Sequence, residues 1–438
     1  MGNIICYQRR LPILPDQLIR GILLQLPVKS LLRFKCVCKS WKTLISESRF
    51  ANSHLQSSEA RQGIWNPLNM GNVVCYQLPL PILPDELILE ILLRLPVRSL
   101  LGLKCVCKSW KTLISDPRFA NNHLRISTAD SSMTNQQLLF NVLSEPNKIL
   151  SYPLNSLLEN SSTPDEFVGF SNMMKDNITC GSCNGLLCLY DSFQHCVRLC
   201  NPSIRWISKK SPEAFSDDWM IIYYGFGYNK VNDNYKVLVV AENKCSDSPE
   251  RLTKIYTFGE EDSWRTIKKF PCTSTVPSGE FVSGTLNWMV DNGGVSSNQS
   301  VILSFDLEKE TYGAVLLPPN DADNVVSMHR LYVLNNCLCV FSETNKTHWV
   351  AWLMKQYGVV DSWTKLMIIP HDKFIPSNPS YVDPLFVSKN GVVLLLDAWT
   401  NQLVLYNLNS GQLDYHSIST ILGLHVHIYH ESLISPCF

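Results

Sequence analysis

From Leu80 to Leu124 apolar residues recur at helical spacing, whereas beyond about residue 135 they come in short runs cut by Asn, Gly, Asp and Ser. In the first stretch Pro84, followed by Asp85 and Glu86, marks a helix entry with carboxylates at the positive end of the helix dipole. Leu87, Ile88, Ile91, Leu92 and Leu95 follow at three- and four-residue intervals and predict an amphipathic helix, which Pro96 ends. Ser99 is placed to cap a second helix through Leu100, Leu101, Leu103, Val106 and Trp110, and Asp116 to Phe119 closes that unit. A segment of about 45 residues cannot bury this many leucines by itself, so part of its apolar face must meet something else.

The same pattern occurs earlier in the chain. Leu11 to Leu55 and Leu80 to Leu124 share 35 of 45 residues, and "MGNIICYQ" and "MGNVVCYQ" match in front of them, which predicts a duplication with Met70 as a former start. The copies differ where it matters for a helix: Glu86 and Glu90 of the second are Gln17 and Gly21 of the first. Glycine inside a helix costs about 0.5–1 kcal/mol relative to alanine, so the first copy (1–55) reads as the degenerate one. A linker over 56–79 separates them, and a second one, 125–134, follows.

In the body, 135–438, a loose unit repeats: turn, apolar strand, polar turn, a strand of aromatic and β-branched residues, turn. Its turns fall near Asn184, Asp233, Thr285, Asn336 and Asn390, about 50 residues apart, the period of a four-stranded propeller blade. Extrapolating backward reaches Gln136. The expectation is a β-propeller-like domain of about six blades, seven being the alternative, with His425 to Glu431 closing the ring.

These segments carry a resemblance. Leu-Pro, an amphipathic helix, Leu-Pro, Ser-Leu and Lys-Cys-Val-Cys-Lys-Ser-Trp resemble the F-box as found in plant proteins, and "SCNGLLCL", "NPSIRW", "YGFGYNKVNDNYKVL" and "YGVVDSWTKL" resemble the F-box-associated domain that follows it. The resemblance implies a multidomain fold, a small helical F-box in two tandem copies before an all-β propeller-like domain. It also implies a substrate-recognition subunit of a Skp-cullin-F-box ubiquitin ligase. The F-box would dock on a Skp-type adaptor, and through it on cullin and RING subunits, while the propeller takes an unknown target protein. By the same resemblance the adaptor contacts are Leu83, Pro84, Leu87, Ile91, Leu92, Leu95, Pro96, Leu100, Val106 and Trp110.

Charge and chemistry refine this picture. The net charge is zero, yet residues 1–124 hold 16 basic against 7 acidic side chains and the rest 22 against 31. A basic head lacking the aromatic platforms that single strands need suits an acidic protein partner and argues against nucleic acid. No apolar run reaches the roughly 18 residues of a membrane span, so neither membrane nor secretion is expected, and the cytoplasm, the nucleus or both are. Cys180, Cys183, Cys196 and Cys200 have a zinc-like spacing, but Asn184-Gly185 between them is a hairpin signal, so they read as apolar strand positions. His425, His427 and His430 permit chelation without requiring it. No carboxylate pair, nucleophile triad or phosphate loop stands out. A non-catalytic receptor with neither cofactor nor metal is therefore expected, against the alternative of a glycan-binding or enzymatic propeller with a vestigial F-box. Body tryptophans on a loop face would suit a partner.

Overall fold

The computed structural model describes residues 31, 39–54, 85–129, 136–142, 145–158, 165–166, 177–245, 250–260, 262–274, 276–291, 300–319, 326–345, 347–371, 382–397, 400, 402–415 and 422–436. The chain divides into two compact units, 1–127 and 128–438.

The first unit is helical. In the second copy, helices span Asp85–Leu93, Val97–Leu103, Lys108–Ser115 and Pro117–Ala129. Three features differ from the expectation. The helix after Pro96 starts at once at Val97, with Pro96 itself as its N-cap, so Ser99 lies inside the helix and does not cap it. It then ends at Leu103, and Lys104 to Cys107 form a break that turns Val106 inward, 6 % exposed, before a new helix starts. Cys107 caps that new helix: its backbone is extended and its Sγ accepts from the Trp110 N–H at 3.4 Å. Asp116 to Phe119 is likewise a joint rather than an end. Asp116 is extended, its Oδ1 accepts from the Arg118 N–H at 2.7 Å, and the last helix runs on to Ala129, past the point where the sequence pattern placed a linker.

The first copy repeats this geometry where it is described. Lys39–Ser46, identical in sequence to Lys108–Ser115, is helical. Phe50 stacks on His54 at 6.3 Å and 22°, and Phe119 on His123 at 6.3 Å and 21°. Gln17 and Gly21, on which the degeneracy of this copy rests, lie outside the described residues.

Among its described residues the second unit is mainly β, with a short helix at Leu154–Leu158 and a 3-10 turn at Val360–Ser362. Its described strands form six antiparallel sets of four, with Thr273–Ser274 an additional short strand paired to Thr285–Asp291. Blade 1 comprises Gln136–Val142, Glu145–Pro153 and Asp165–Glu166, completed by the C-terminal strand Leu422–His430. Blades 2 to 6 are consecutive in the chain, with innermost strands Asn177–Cys183, Trp219–Asn229, Ser278–Val282, Val326–Leu334 and Val382–Val387. Blades 3 and 4 also touch edge to edge through a short parallel pairing, Ser278 with Tyr224 and Gly279 with Gly225. The contact needs glycine: a Cβ on Gly279 would lie 2.4 Å from the Trp288 indole, which is 1 % exposed.

The five recurrent turns are the same hairpin in five successive blades, joining the innermost strand to the next. Asn184-Gly185, Ser283-Gly284 and Asn335-Asn336 are two-residue loops with positive φ at both positions, the turn whose twist matches paired strands. In blade 1 that hairpin is replaced by the two chain ends of the domain. Gln136 pairs with His430, so the extrapolated sixth position falls where the missing turn would be.

Apolar layers fill the seams between neighbouring blades. Leu138, Phe140, Leu150 and Tyr152 of blade 1 pack with Phe386, Leu394, Leu403 and Leu405 of blade 6, and Leu139 and Tyr429 pack with Leu187, Leu189 and Cys200 of blade 2. Beyond the closing strand the chain is clamped under blade 2. Asn201, fully buried, donates through Nδ2 to Ser432 O at 3.1 Å and Ile434 O at 2.8 Å, and Ser432 N–H donates to Ser203 Oγ. A Cβ on Gly185, at φ +79°, would meet Ser432 Oγ at 2.3 Å. Asn201→Ala leaves these buried carbonyls without a partner and is expected to cost about 1–3 kcal/mol. Gly185→Ala, which adds backbone strain to the clash, is expected to cost at least as much. Urea titration of the full chain checks both; a midpoint equal to wild type for both variants would remove the clamp from the account.

Candidate adaptor and target surfaces

The helical unit sorts the sequence-predicted contact residues into two groups. Leu92, Leu95, Leu100 and Val106 are 2, 9, 0 and 6 % exposed and belong, like Val97, Leu103, Ile114 and Phe119, to the interior of the unit. Ile91, Pro96 and Trp110 are half-buried and keep surface that a partner can cover. Leu83 and Pro84 lie outside the described residues, as does the side chain of Leu87. The 3.6-residue pattern marks both groups alike, because it reports which face is apolar and not how much of that face the unit's own helices cover.

Ile88, Leu89, Leu101 and Leu113, which the sequence reading did not single out as contacts, are also half-buried. The same stretch of chain carries the exposed bases Arg94, Arg98, Lys108 and Lys111. Arg94 donates to Glu90 Oε1 at 2.6 Å, a solvent-exposed pair worth about 0.3–0.5 kcal/mol. Burial, reinforced by repulsion from Lys111, lowers the Lys104 ammonium below the usual lysine range. The result is an apolar strip with a basic rim, suited to an acidic partner.

His123 ties this unit together. It is 1 % exposed, stacks on Phe119, and its Nε2 lies 2.8 Å from Leu95 O, joining the last helix to the end of the first. Burial lowers its pKa, with the Leu95 contact opposing.

In the propeller, Cys180, Cys183, Cys188, Cys196 and Cys200 are buried strand residues of blade 2. Burial pushes the Cys183 and Cys188 thiols up, and Cys200 up to about 12, so these are protonated apolar side chains rather than nucleophiles. Among the described residues no group of three or more His, Cys, Asp or Glu is placed to hold a metal. His425, His427 and His430 lie on the closing strand, where His427 pairs with Leu139 and His430 with Gln136. Glu280, on the innermost strand of blade 4 beside Tyr224, keeps some accessible surface yet lies deep among neighbouring atoms, and burial pushes its carboxyl up to about 7. None of the described tryptophans is exposed: Trp288, Trp349 and Trp363 are core, and Trp206, Trp219, Trp264 and Trp352 are half-buried. Trp399 lies outside the described residues. Among the described residues Phe193, 73 % accessible, is the most exposed aromatic of the body, ahead of Tyr415 at 38 %, and no periodicity singles it out.

Comparison with known proteins agrees with this geometry. The F-box domain model matches residues 11–52 and again 80–122, and the F-box associated beta propeller domain model matches 147–436. The chain belongs to the F-box proteins with an associated propeller. It is 31 % identical over 367 residues to an F-box/kelch-repeat protein of Arabidopsis thaliana, covering 81 % of this chain and 96 % of that one. To the F-box protein CPR1 of the same plant it is 28 % identical over 358 residues, covering 75 % and 82 %. F-box proteins of this architecture are in general substrate receptors of Skp-cullin-F-box ligases, and the F-box in general binds a Skp-type adaptor.

The His123 arrangement has a pH signature. Its pKa is depressed in the folded state, so its contribution is present above the unfolded value near ~6.5 and is lost as pH falls below it. Limited proteolysis of the full chain is expected to cut within 85–129 faster at pH 5.5 than at 7.5, and His123→Gln to flatten that difference. Equal pH dependence in the variant would assign the effect to another group.

Proposed function

We propose that this F-box protein is the substrate-recognition subunit of a Skp-cullin-F-box ubiquitin ligase, acting in the cytoplasm, the nucleus or both. Its second copy docks on the Skp-type adaptor through the strip drawn from Leu83, Pro84, Leu87, Ile91, Leu92, Leu95, Pro96, Leu100, Val106 and Trp110. Within that strip Ile91, Pro96 and Trp110 touch the adaptor, while Leu92, Leu95, Leu100 and Val106 hold the helices that present them. Cullin and RING subunits join through the adaptor, and the propeller holds a target protein. The observation that carries this reading is the pairing of a helical unit whose apolar strip stays half open under a basic rim with a closed propeller.

The protein performs no bond chemistry in this role. Holding a target beside the ubiquitin-transfer machinery turns an encounter between separate molecules into one at high effective concentration. Rate then depends on residence and geometry rather than on an acid, base or nucleophile of the propeller, in keeping with the protonated thiols of blade 2.

Burial decides the test. Leu92→Lys would place a charge in the interior of the unit and unfold it, so loss of binding there says nothing about contact. Ile91→Lys and Trp110→Ala alter half-open positions, and Ile22→Lys is the counterpart of the former in the first copy. Co-purification with a Skp-type adaptor is expected to fall at least about tenfold for Ile91→Lys and Trp110→Ala, and little for Ile22→Lys. Unchanged adaptor recovery in both second-copy variants would sink the assignment.

A further inference from the structure

We propose that Phe193 and Met220, with the acidic residues between them, form a docking surface for an extended segment of the target that carries basic residues between two apolar ones. This rests on the receptor reading and deepens it, since it places the target's segment on blades 2 and 3.

Phe193 projects from the turn between the second and third strands of blade 2, Leu186–Asp191 and Cys196–Asn201. An aromatic side chain 73 % exposed would normally sit on a loose loop, yet this backbone is braced on every side. Asp191 Oδ1 accepts from the N–H of Phe193 at 3.1 Å and of Gln194 at 3.0 Å. Lys210 Nζ reaches Asp191 Oδ2 at 3.2 Å and also Gln194 Oε1. His195, at φ +48°, has its Nδ1 2.5 Å from Tyr190 OH, and its carbonyl accepts from Ala214 N–H at 2.7 Å. The conformational cost of presenting the ring is therefore met before any partner arrives, which is how interface anchors gain affinity.

Met220, 49 % exposed, lies near the start of the innermost strand of blade 3. In the up-and-down topology of the blades, that strand end and the 191–195 turn belong to the same end of the propeller, opposite the short Asn- and Gly-containing hairpins. The chain from Pro212 to Met220 connects them, and His195 Nε2 stands 3.9 Å from Asp217 Oδ1, a carboxylate almost wholly in solvent.

Charge decides the partner. Glu213, Asp217 and Asp218 are exposed along this connection. Of the nearby bases, Lys210 is held by Asp191 and Gln194, and Lys254 Nζ donates to Ala214 O and lies over the Phe215 ring. Lys209 and Lys244 are exposed, Lys244 donating its backbone N–H to Asp218 O at 2.8 Å, so the three acids still outnumber these two exposed bases. An apolar pair straddling exposed carboxylates, of which Asp217 faces His195 and Asp218 accepts from Cys245 Sγ at 3.5 Å, complements lysine or arginine flanked by apolar side chains.

The test uses the full chain bound to its adaptor and a fluorescein-labelled peptide, Ala-Leu-Lys-Arg-Leu-Ala, beside one with two glutamates in place of Lys-Arg. The basic peptide is expected to bind saturably and more weakly as salt rises. Phe193→Ala is expected to weaken it about tenfold, and Asp217→Asn with Asp218→Asn by a similar factor. Val231→Ala, altering a residue 67 % exposed on a short hairpin at the opposite end, should change nothing. All three variants should keep wild-type melting and adaptor recovery, which separates loss of the surface from loss of fold. No binding by the wild type, equal binding of the two peptides, or Phe193→Ala behaving like Val231→Ala would each overturn the proposal. Failure of the receptor reading shows separately, as wild-type protein that does not retain the adaptor.

Discussion

The propeller depends on one junction, the antiparallel pairing of Gln136–Val142 with the C-terminal strand Leu422–His430. Five blades are continuous in sequence and can each form as a local meander, but the first is assembled from both ends of the domain. Only when these ends meet do both seams of blade 1 fill, with Phe140 and Tyr152 stacked toward blade 6 and Leu139 and Tyr429 against blade 2. Closing a loop of this length is entropically costly and must be offset by burial distributed over both seams. The Asn201 clamp adds a second attachment for the same chain end, its amide satisfying carbonyls that would otherwise be buried without partners.

A rigid ring of this kind frees its loops for recognition. Apolar side chains and thiols are drawn into the seams, where burial raises the Cys200 thiol, while Phe193 is held out on a turn braced by Asp191. On the proposed receptor reading, specificity for a target belongs to a few exposed residues, while the seams keep those residues in place.

In the helical unit the same sequence occurs twice and takes the same form where it is described, down to the stacking of Phe50 on His54 and Phe119 on His123. Local sequence sets these helices. Whether a copy is useful depends on which side chains stay open after the helices have packed, and in the second copy that is a minority of the apolar face.

The sequence alone determined the class of each unit, because helical and strand periodicities are local and a turn that needs positive φ selects Asn, Gly or Asp wherever it recurs. Hence the near-50-residue spacing and the blade count could be read from it, whereas the replacement of the turn extrapolated to Gln136 by two chain ends was decided by ring closure. It misread the joint at Lys104–Cys107 as continuous helix, since Val106 fits the helical spacing but is buried by a chain reversal that tertiary packing favours. It likewise gave Leu92 and Ile91 equal standing as contacts, although one is interior and the other half open. Burial, seam formation and the bracing of Phe193 arise from residues far apart in the chain, and only the tertiary structure, which brings them together, decides which apolar side chain is core and which is surface.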